Sequence, residues 1–112
     1  MLLSICIPTY NRPNQLKNCL NSIAKQKSKN FEVCISDNAS KINLLKIIKP
    51  YKKKFKINYK KNKKNLGFAM NVLKVSQMAE GKFIWFLGDD DLLTPNSINH
   101  LIQLIKKNKK IN

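Results

Sequence analysis

Apolar and polar positions along this chain follow two alternating rhythms. Leu2 to Ile7 and Phe31 to Ser36 (FEVCIS) are short apolar runs closed by polar turn formers, the pattern of buried strands. Between them Leu16, Leu20 and Ile23 recur at helical spacing, and the pattern fades in the lysine-rich segment before Asn30. A second helix is predicted from about Ser40 to Ile48, carried by Leu44, Leu45, Ile47 and Ile48 and stopped by Pro50. Phe55, Ile57 and Tyr59 then alternate with Lys56, Asn58 and Lys60, the period of a short strand with one wet face. After a turn at Asn65-Leu66-Gly67-Phe68, a third amphipathic helix is marked by Ala69, Val72, Leu73, Val75, Ser76 and Ala79, with Gly81 as its C-terminal stop. Phe83 to Leu87 reads as a buried strand. A last helix from about Pro95 to Lys107 presents Ile98, Leu101, Ile102, Leu104 and Ile105, with Thr94 as N-cap and Lys106, Lys107, Lys109 and Lys110 at the end that favours cations.

The predicted order is β-α-β-α-β-α-β-α. Parallel strands need crossover helices and those crossovers are right-handed, so the alternation predicts an α/β fold: a Rossmann-like three-layer sandwich with a mostly parallel sheet. The polar turns after the first, second and fourth strands then share one edge, where open parallel sheets bind ligands. This places the Leu2 strand centrally, between the Phe31 and Phe83 strands, with the Phe55 strand outermost.

With 112 residues the chain holds at most one domain. Its hydrophobic content of 43% argues against disorder despite a formal net charge of +16. The excess is almost all Lys, accompanied by abundant Asn and Ile, a bias that an AT-rich genome generates without a basic partner. The N-terminus, Met-Leu-Leu-Ser-Ile-Cys-Ile-Pro, lacks a basic flank and reads as a strand and not a signal peptide. No run approaches the roughly 18 apolar residues of a membrane span. Cys6, Cys19 and Cys34 are odd in number and widely spaced, which fits reduced, buried thiols of the cytosol better than a zinc site. Trp85 is expected in the core, and His100 at the surface or its boundary.

The chemistry concentrates in Lys82 to Pro95, KFIWFLGDDDLLTP. Of only 6 acidic residues in the chain, Asp89, Asp90 and Asp91 stand together at the mouth of a strand. Adjacent like charges repel, so a bound cation, a divalent metal, accounts for them better than helix capping, which needs one side chain and is already supplied by Thr94.

Four segments, SICIPTYNRP, FEVCISDNAS, NLGFAMN and EGKFIWFLGDDDLLTP, resemble in order and spacing the N-terminal half of family 2 glycosyltransferases of the GT-A fold. The resemblance spans nearly the whole chain. It implies a nucleotide-diphospho-sugar site in which Pro8, Thr9 and Tyr10 lie along base and ribose with Arg12 nearby, Asp37 and Asn38 meet the base, and Asn65 and Gly67 also bind the donor. The family often carries two acids where this chain has Asp37 and Asn38, so a UDP-sugar is only the leading donor. The acids resemble the metal-binding DxD motif. By alignment from Pro95 the metal ligand is Asp90, with Gly88 in place of the motif's first Asp; read literally, D-x-D is Asp89 and Asp91. Asp89 is therefore both a donor-site and a metal candidate, and the cofactor expected is Mn²⁺ or Mg²⁺.

The reaction implied is transfer of the sugar to an acceptor hydroxyl, usually with inversion, in surface glycan or polysaccharide synthesis. The family's general base comes from the C-terminal half of the domain, so the expectation is a truncated fragment, residues 1–112, with a donor site, no acceptor half and no activity alone. Glu32 and Glu80 are poorly placed to be the base. Expected partners are the donor, a saccharide or lipid-linked acceptor, an anionic membrane at its periphery, and a second copy packed on the truncation surface. The expected location is the cytoplasm, including the inner membrane face.

Two other readings compete. The Lys49 to Lys64 segment, with Tyr51, Phe55 and Tyr59 interleaved, suggests a nucleic-acid or anionic-membrane module, but Arg is nearly absent and lysine-rich turns are usually solvated surface. A nucleotidyltransferase shares the sheet and the acids, yet usually has a Gly-rich loop after its first strand, and Pro8 to Pro13 contains no Gly.

Overall fold

A computed structural model describes residues 1–108. Four parallel strands, β1 (Leu3–Thr9), β2 (Phe31–Asp37), β3 (Lys56–Lys61) and β4 (Phe83–Phe86), form one sheet in the order β3-β2-β1-β4. The helices are α1 (Pro13–Ala24), α2 (Leu45–Ile48), α3 (Phe68–Gln77) and α4 (Ser97–Lys107), with a 3-10 turn, Lys49–Lys53, after α2. The predicted architecture and strand order are those found. Order reverses between β1 and β4, which makes the space beyond their carboxyl ends the crevice of the sheet.

Strand periodicity divides the core in two. Leu3, Ile5 and Ile7 of β1 and Phe31, Val33 and Ile35 of β2 pack with Leu16, Leu20 and Ile23 of α1 and with Ile98 and Ile102 of α4. On the opposite face Cys6 and Cys34, adjacent in register, are covered by Val75 and Met78. Helices thus lie on both faces. All three cysteines are buried free thiols. Among the described residues, no helix is long and apolar enough to cross a membrane.

Several local expectations are corrected. The second α-helix ends at Ile48 as predicted but begins at Leu45 and not near Ser40, and Pro50 sits in the first turn of the 3-10 helix that follows, where its missing N–H costs nothing. Helix α3 stops at Gln77, and Gly81 packs against the backbone of Leu3 and Ser4 and does not cap it. Leu73 is exposed, so the buried face of α3 is narrower than its apolar pattern. Strand β4 is an edge and not a buried strand: Ile84 and Phe86 are exposed, and Trp85 is partly buried against the core. His100 is exposed, as expected.

Thr94 and Pro95 precede α4, whose N-cap position is Asn96 without a side-chain cap. The free N–H of Ile98 is met instead by the buried Gln26, whose Oε1 accepts it at 3.1 Å while its Nε2 donates to the Thr94 carbonyl at 2.7 Å. A side chain from the segment just after α1 therefore supplies the cap. Lys106 and Lys107 lie in the last turn of α4 as predicted, whereas Lys109 and Lys110 are outside the described residues.

At the amino-terminal edge, Glu32 is buried and its carboxylate accepts from Ser4 Oγ and from the Glu80 N–H, both at 2.6 Å. Burial pushes this carboxyl up, but the Ser4, Glu80 and Gly81 hydrogen bonds and Lys56 outweigh it and hold it below the usual range. Glu32 is thus a structural anion, at the sheet edge opposite the crevice.

Candidate functional site

The turns that follow β1, β2, β3 and β4 converge on a cleft of about 820 Å³ beyond the carboxyl ends of the strands. Pro8, Thr9, Tyr10 and Arg12 form one wall, Asn38, Asn65 and Gly67 another, and Asp89 and Asp90 the end beside β4. Two predicted residues, Asp37 and Asp91, are not in this lining.

Asp37 is fully buried at the end of β2. One oxygen accepts the Ser40 N–H at 2.9 Å and the other the Tyr59 hydroxyl at 2.6 Å, so its carboxylate shapes the 37–40 turn. Burial, and then the Asp37 hydrogen bond and charge, push the Tyr59 phenol well up, so it stays a donor. Ala39 in that turn has φ 66°, a left-handed conformation unusual for a residue with a Cβ.

Asn38 lines the cleft, but its amide is spent on the protein. Its Nδ2 donates to Asn65 Oδ1 at 2.9 Å and to the Gly67 carbonyl at 3.2 Å. Its Oδ1 accepts from the Leu66 N–H at 2.9 Å and from Asn62 Nδ2 at 3.1 Å. Asn62 also donates to Asn71 Oδ1, and Asn71 Nδ2 donates to the Ser36 carbonyl. A chain of asparagines therefore ties the Asn65–Gly67 turn to the end of β2. Asn62 and Asn71 were missed by the sequence reading, although Asn71 ends the NLGFAMN segment; a lone Asn carries no signal of its role in a network.

The three carboxylates do different things. Asp89 is 8% exposed and accepts the Thr9 hydroxyl at 2.9 Å, which joins the ends of β1 and β4 across the crevice. Arg12 Nη1 lies 3.5 Å from Asp89 Oδ1 and 3.4 Å from Asp90 Oδ2. Burial pushes the Asp89 carboxyl up, and the Thr9 hydroxyl and the Arg12 guanidinium only partly oppose this. Asp90 is exposed at the rim. Asp91 folds back: its Oδ2 accepts the Gly88 N–H at 2.9 Å and its own N–H donates to the Gly88 carbonyl at 3.0 Å, which closes the turn. Cys19 lies beneath, its thiol pushed up to about 12 by burial and then by Asp89, Asp91 and Asp90, so it is no nucleophile.

Among the described residues no set of three or more His, Cys, Asp or Glu side chains is gathered to hold a metal. The pair Asp89 and Asp90 nevertheless fits Mg²⁺ or Mn²⁺, which are commonly held by one or two carboxylates with phosphate oxygens and water completing the shell. A cationic group, the Arg12 guanidinium, already lies against both.

Comparison with known proteins identifies the family and the fold. The profile of Glycosyl transferase family 2 matches residues 4–112. Abequosyltransferase RfbV of Salmonella typhimurium is 42% identical over 88% of this chain and 31% of its own length. An uncharacterized glycosyltransferase of Haemophilus influenzae is 32% identical over 99% of this chain and 37% of its own length. The chain thus spans about a third of these relatives. Crystal structures of S. aureus TarS, including one with UDP-GlcNAc, superpose with a TM-score of 0.91 at 28% identity, covering 97% of this chain and 32% of that one. The mannosyltransferase PcManGT of Pyrobaculum calidifontis, with GDP-Man and Mn²⁺, shares the fold with a TM-score of 0.82 at 16% identity over 92% of this chain and 32% of its own. With the family profile matching residues 4–112, a relative 42% identical over most of the chain and the same fold in TarS, this chain belongs to glycosyl transferase family 2.

Proposed function

We propose that the chain forms the donor-binding part of a glycosyltransferase, which takes a nucleotide-diphospho-sugar and passes the sugar to a saccharide or lipid-linked acceptor hydroxyl with inversion. The observation that carries this reading is the Thr9–Asp89 hydrogen bond across the β1/β4 crevice, which sets an acid pair at one end of a cleft walled by the Tyr10 and Asn65–Gly67 turns. A UDP-sugar is the favoured donor, supported by the likeness to TarS, whose crystal structures include complexes with UDP and UDP-GlcNAc. Base and ribose lie along Pro8, Thr9 and Tyr10, against the wall that Asn38 holds. Asp37, with both oxygens engaged, fixes the turn beneath and does not itself meet the base.

Asp90 and Asp89 hold the divalent metal, and Asp91 sets the turn that presents them. A bound Mn²⁺ or Mg²⁺ supplies positive charge against the negative charge that develops on the leaving diphosphate. The residues of this chain contribute orientation of the donor and a fixed electrostatic frame. The general base and acceptor contacts are assigned to sequence beyond these residues, consistent with relatives about three times as long. We place the protein in the cytoplasm, at the inner membrane face, where its lysines meet anionic lipid.

Calorimetric titration of UDP and GDP, with and without Mn²⁺, tests the reading. UDP is expected to bind more tightly with Mn²⁺, and Asp90→Asn to remove most of that gain while leaving the fold intact. UDP binding indifferent to both metal and Asp90 overturns it. High salt separates this from generic polyanion binding by a chain of net charge +16, which salt abolishes.

A further inference from the structure

Arg12 is the only arginine among 22 basic residues. Its loop is pinned on both sides. Asn11, at φ 50°, donates its N–H to Ser40 Oγ at 2.8 Å and accepts the Lys41 N–H on Oδ1 at 2.7 Å. The Arg12 carbonyl accepts the Leu16 N–H at 3.0 Å as α1 begins. From this base the guanidinium reaches the acid pair of the β4 turn, 3.5 Å from Asp89 and 3.4 Å from Asp90. In a chain that uses lysine everywhere else, one guanidinium nitrogen, Nη1, serves both carboxylates, and the planar group it belongs to is one that also fits a phosphate.

Magnitude decides what such a contact can do. The Arg12 side chain is 49% exposed and that of Asp90 60%, so solvent weakens the pairing and a cation of higher charge can displace it. A fully buried pair would lock the site.

We propose that Arg12 is the resident counter-ion of the Asp89–Asp90 pair, and that it moves onto the donor's diphosphate when a divalent cation takes the carboxylates. The proposal rests on the donor-site reading above. Its consequence is thermodynamic coupling: metal arriving alone must displace the guanidinium, whereas metal arriving with a diphosphate gives that guanidinium a new partner.

The test measures Mn²⁺ binding alone, by the electron paramagnetic resonance signal of free Mn²⁺, and UDP binding in Mn²⁺ by calorimetry, for wild type, Arg12→Ala and Arg12→Lys. Arg12→Ala is expected to bind Mn²⁺ alone about two- to fivefold more tightly, the span open to half-exposed ion pairs, and UDP more weakly. Arg12→Lys, which keeps the charge, is expected to bind Mn²⁺ alone nearly as the wild type does and UDP with intermediate affinity. These opposite signs are the signature, since a simple diphosphate contact leaves Mn²⁺ alone unchanged and a structural role weakens both. Mn²⁺ affinity that is unchanged or lower in Arg12→Ala, while wild type still shows metal-dependent UDP binding, overturns this proposal alone. Absence of metal-dependent UDP binding by the wild type overturns it together with the donor-site reading.

Discussion

At the scale of single residues, Asn38 shows how fully a cleft-lining side chain can be engaged by the protein itself. Its amide donates twice and accepts twice, all to protein atoms. Asn38→Asp leaves only acceptors facing Asn65 Oδ1 and the Gly67 carbonyl. Rotating the Asn65 amide to offer a donor removes the acceptor of the Gly67 N–H, now bonded at 2.8 Å. The substitution is therefore expected to cost on the order of 2 kcal/mol in urea unfolding. It should also weaken UDP binding as the Asn65–Gly67 wall loosens; an unchanged midpoint and affinity would show the network to be idle. The sequence marked Asn38 as a site position, but its partners Asn62, Asn65 and Gly67 lie 24 to 29 residues away, and no local pattern announces such bonds.

At the scale of elements, two glycines set boundaries for different reasons and predict different defects. A Cβ on Gly81 would lie 2.7 Å from Ser4 Oγ and 2.9 Å from backbone atoms of Leu3 and Ser4, which cannot yield. Gly81→Ala should cost about 2 to 3 kcal/mol by overpacking while leaving UDP affinity intact, because the contact lies at the opposite edge from the cleft. Gly67 has open space around it but φ 86° and ψ 164° at the start of α3, a region essentially reserved for glycine. Gly67→Ala should cost about 1 to 3 kcal/mol and weaken UDP binding as well, since Gly67 lines the cleft. Thermal melting and calorimetry on both variants separate the two defects. Element type and order were legible because strand and helix periods are set by burial: β1 and β2 are buried almost throughout, and α1 buries Leu16, Cys19, Leu20 and Ile23 along one face. The failures came where distant groups decide: Gln26 begins α4 in place of Thr94, and β4 is half exposed because its outer edge has no neighbour among the described residues.

At the scale of the whole molecule, the two edges of the sheet are guarded unequally, and this predicts how the chain behaves in solution. The outer strand β3 carries exposed Lys56, Lys60 and Lys61, and lysines on an edge oppose pairing with another chain. The other edge, β4, carries no charge: Ile84 is 45% and Phe86 49% exposed, and Leu104 of α4, 58% exposed, lies with Ile84 in the same shallow apolar groove. An unpaired, uncharged apolar edge favours pairing with a second copy, whereas a net charge of +16 drives copies apart. Salt decides between them, because it screens repulsion and leaves apolar burial in place. The chain is expected to be monomeric at low ionic strength and to self-associate as the Debye length falls toward about 3 Å, read by sedimentation velocity. Ile84→Lys places on β4 the charge that β3 already has, and should hold the chain monomeric at the same salt. Association that weakens with salt, or that Ile84→Lys leaves untouched, would place the contact on the lysine-rich surface and not on β4.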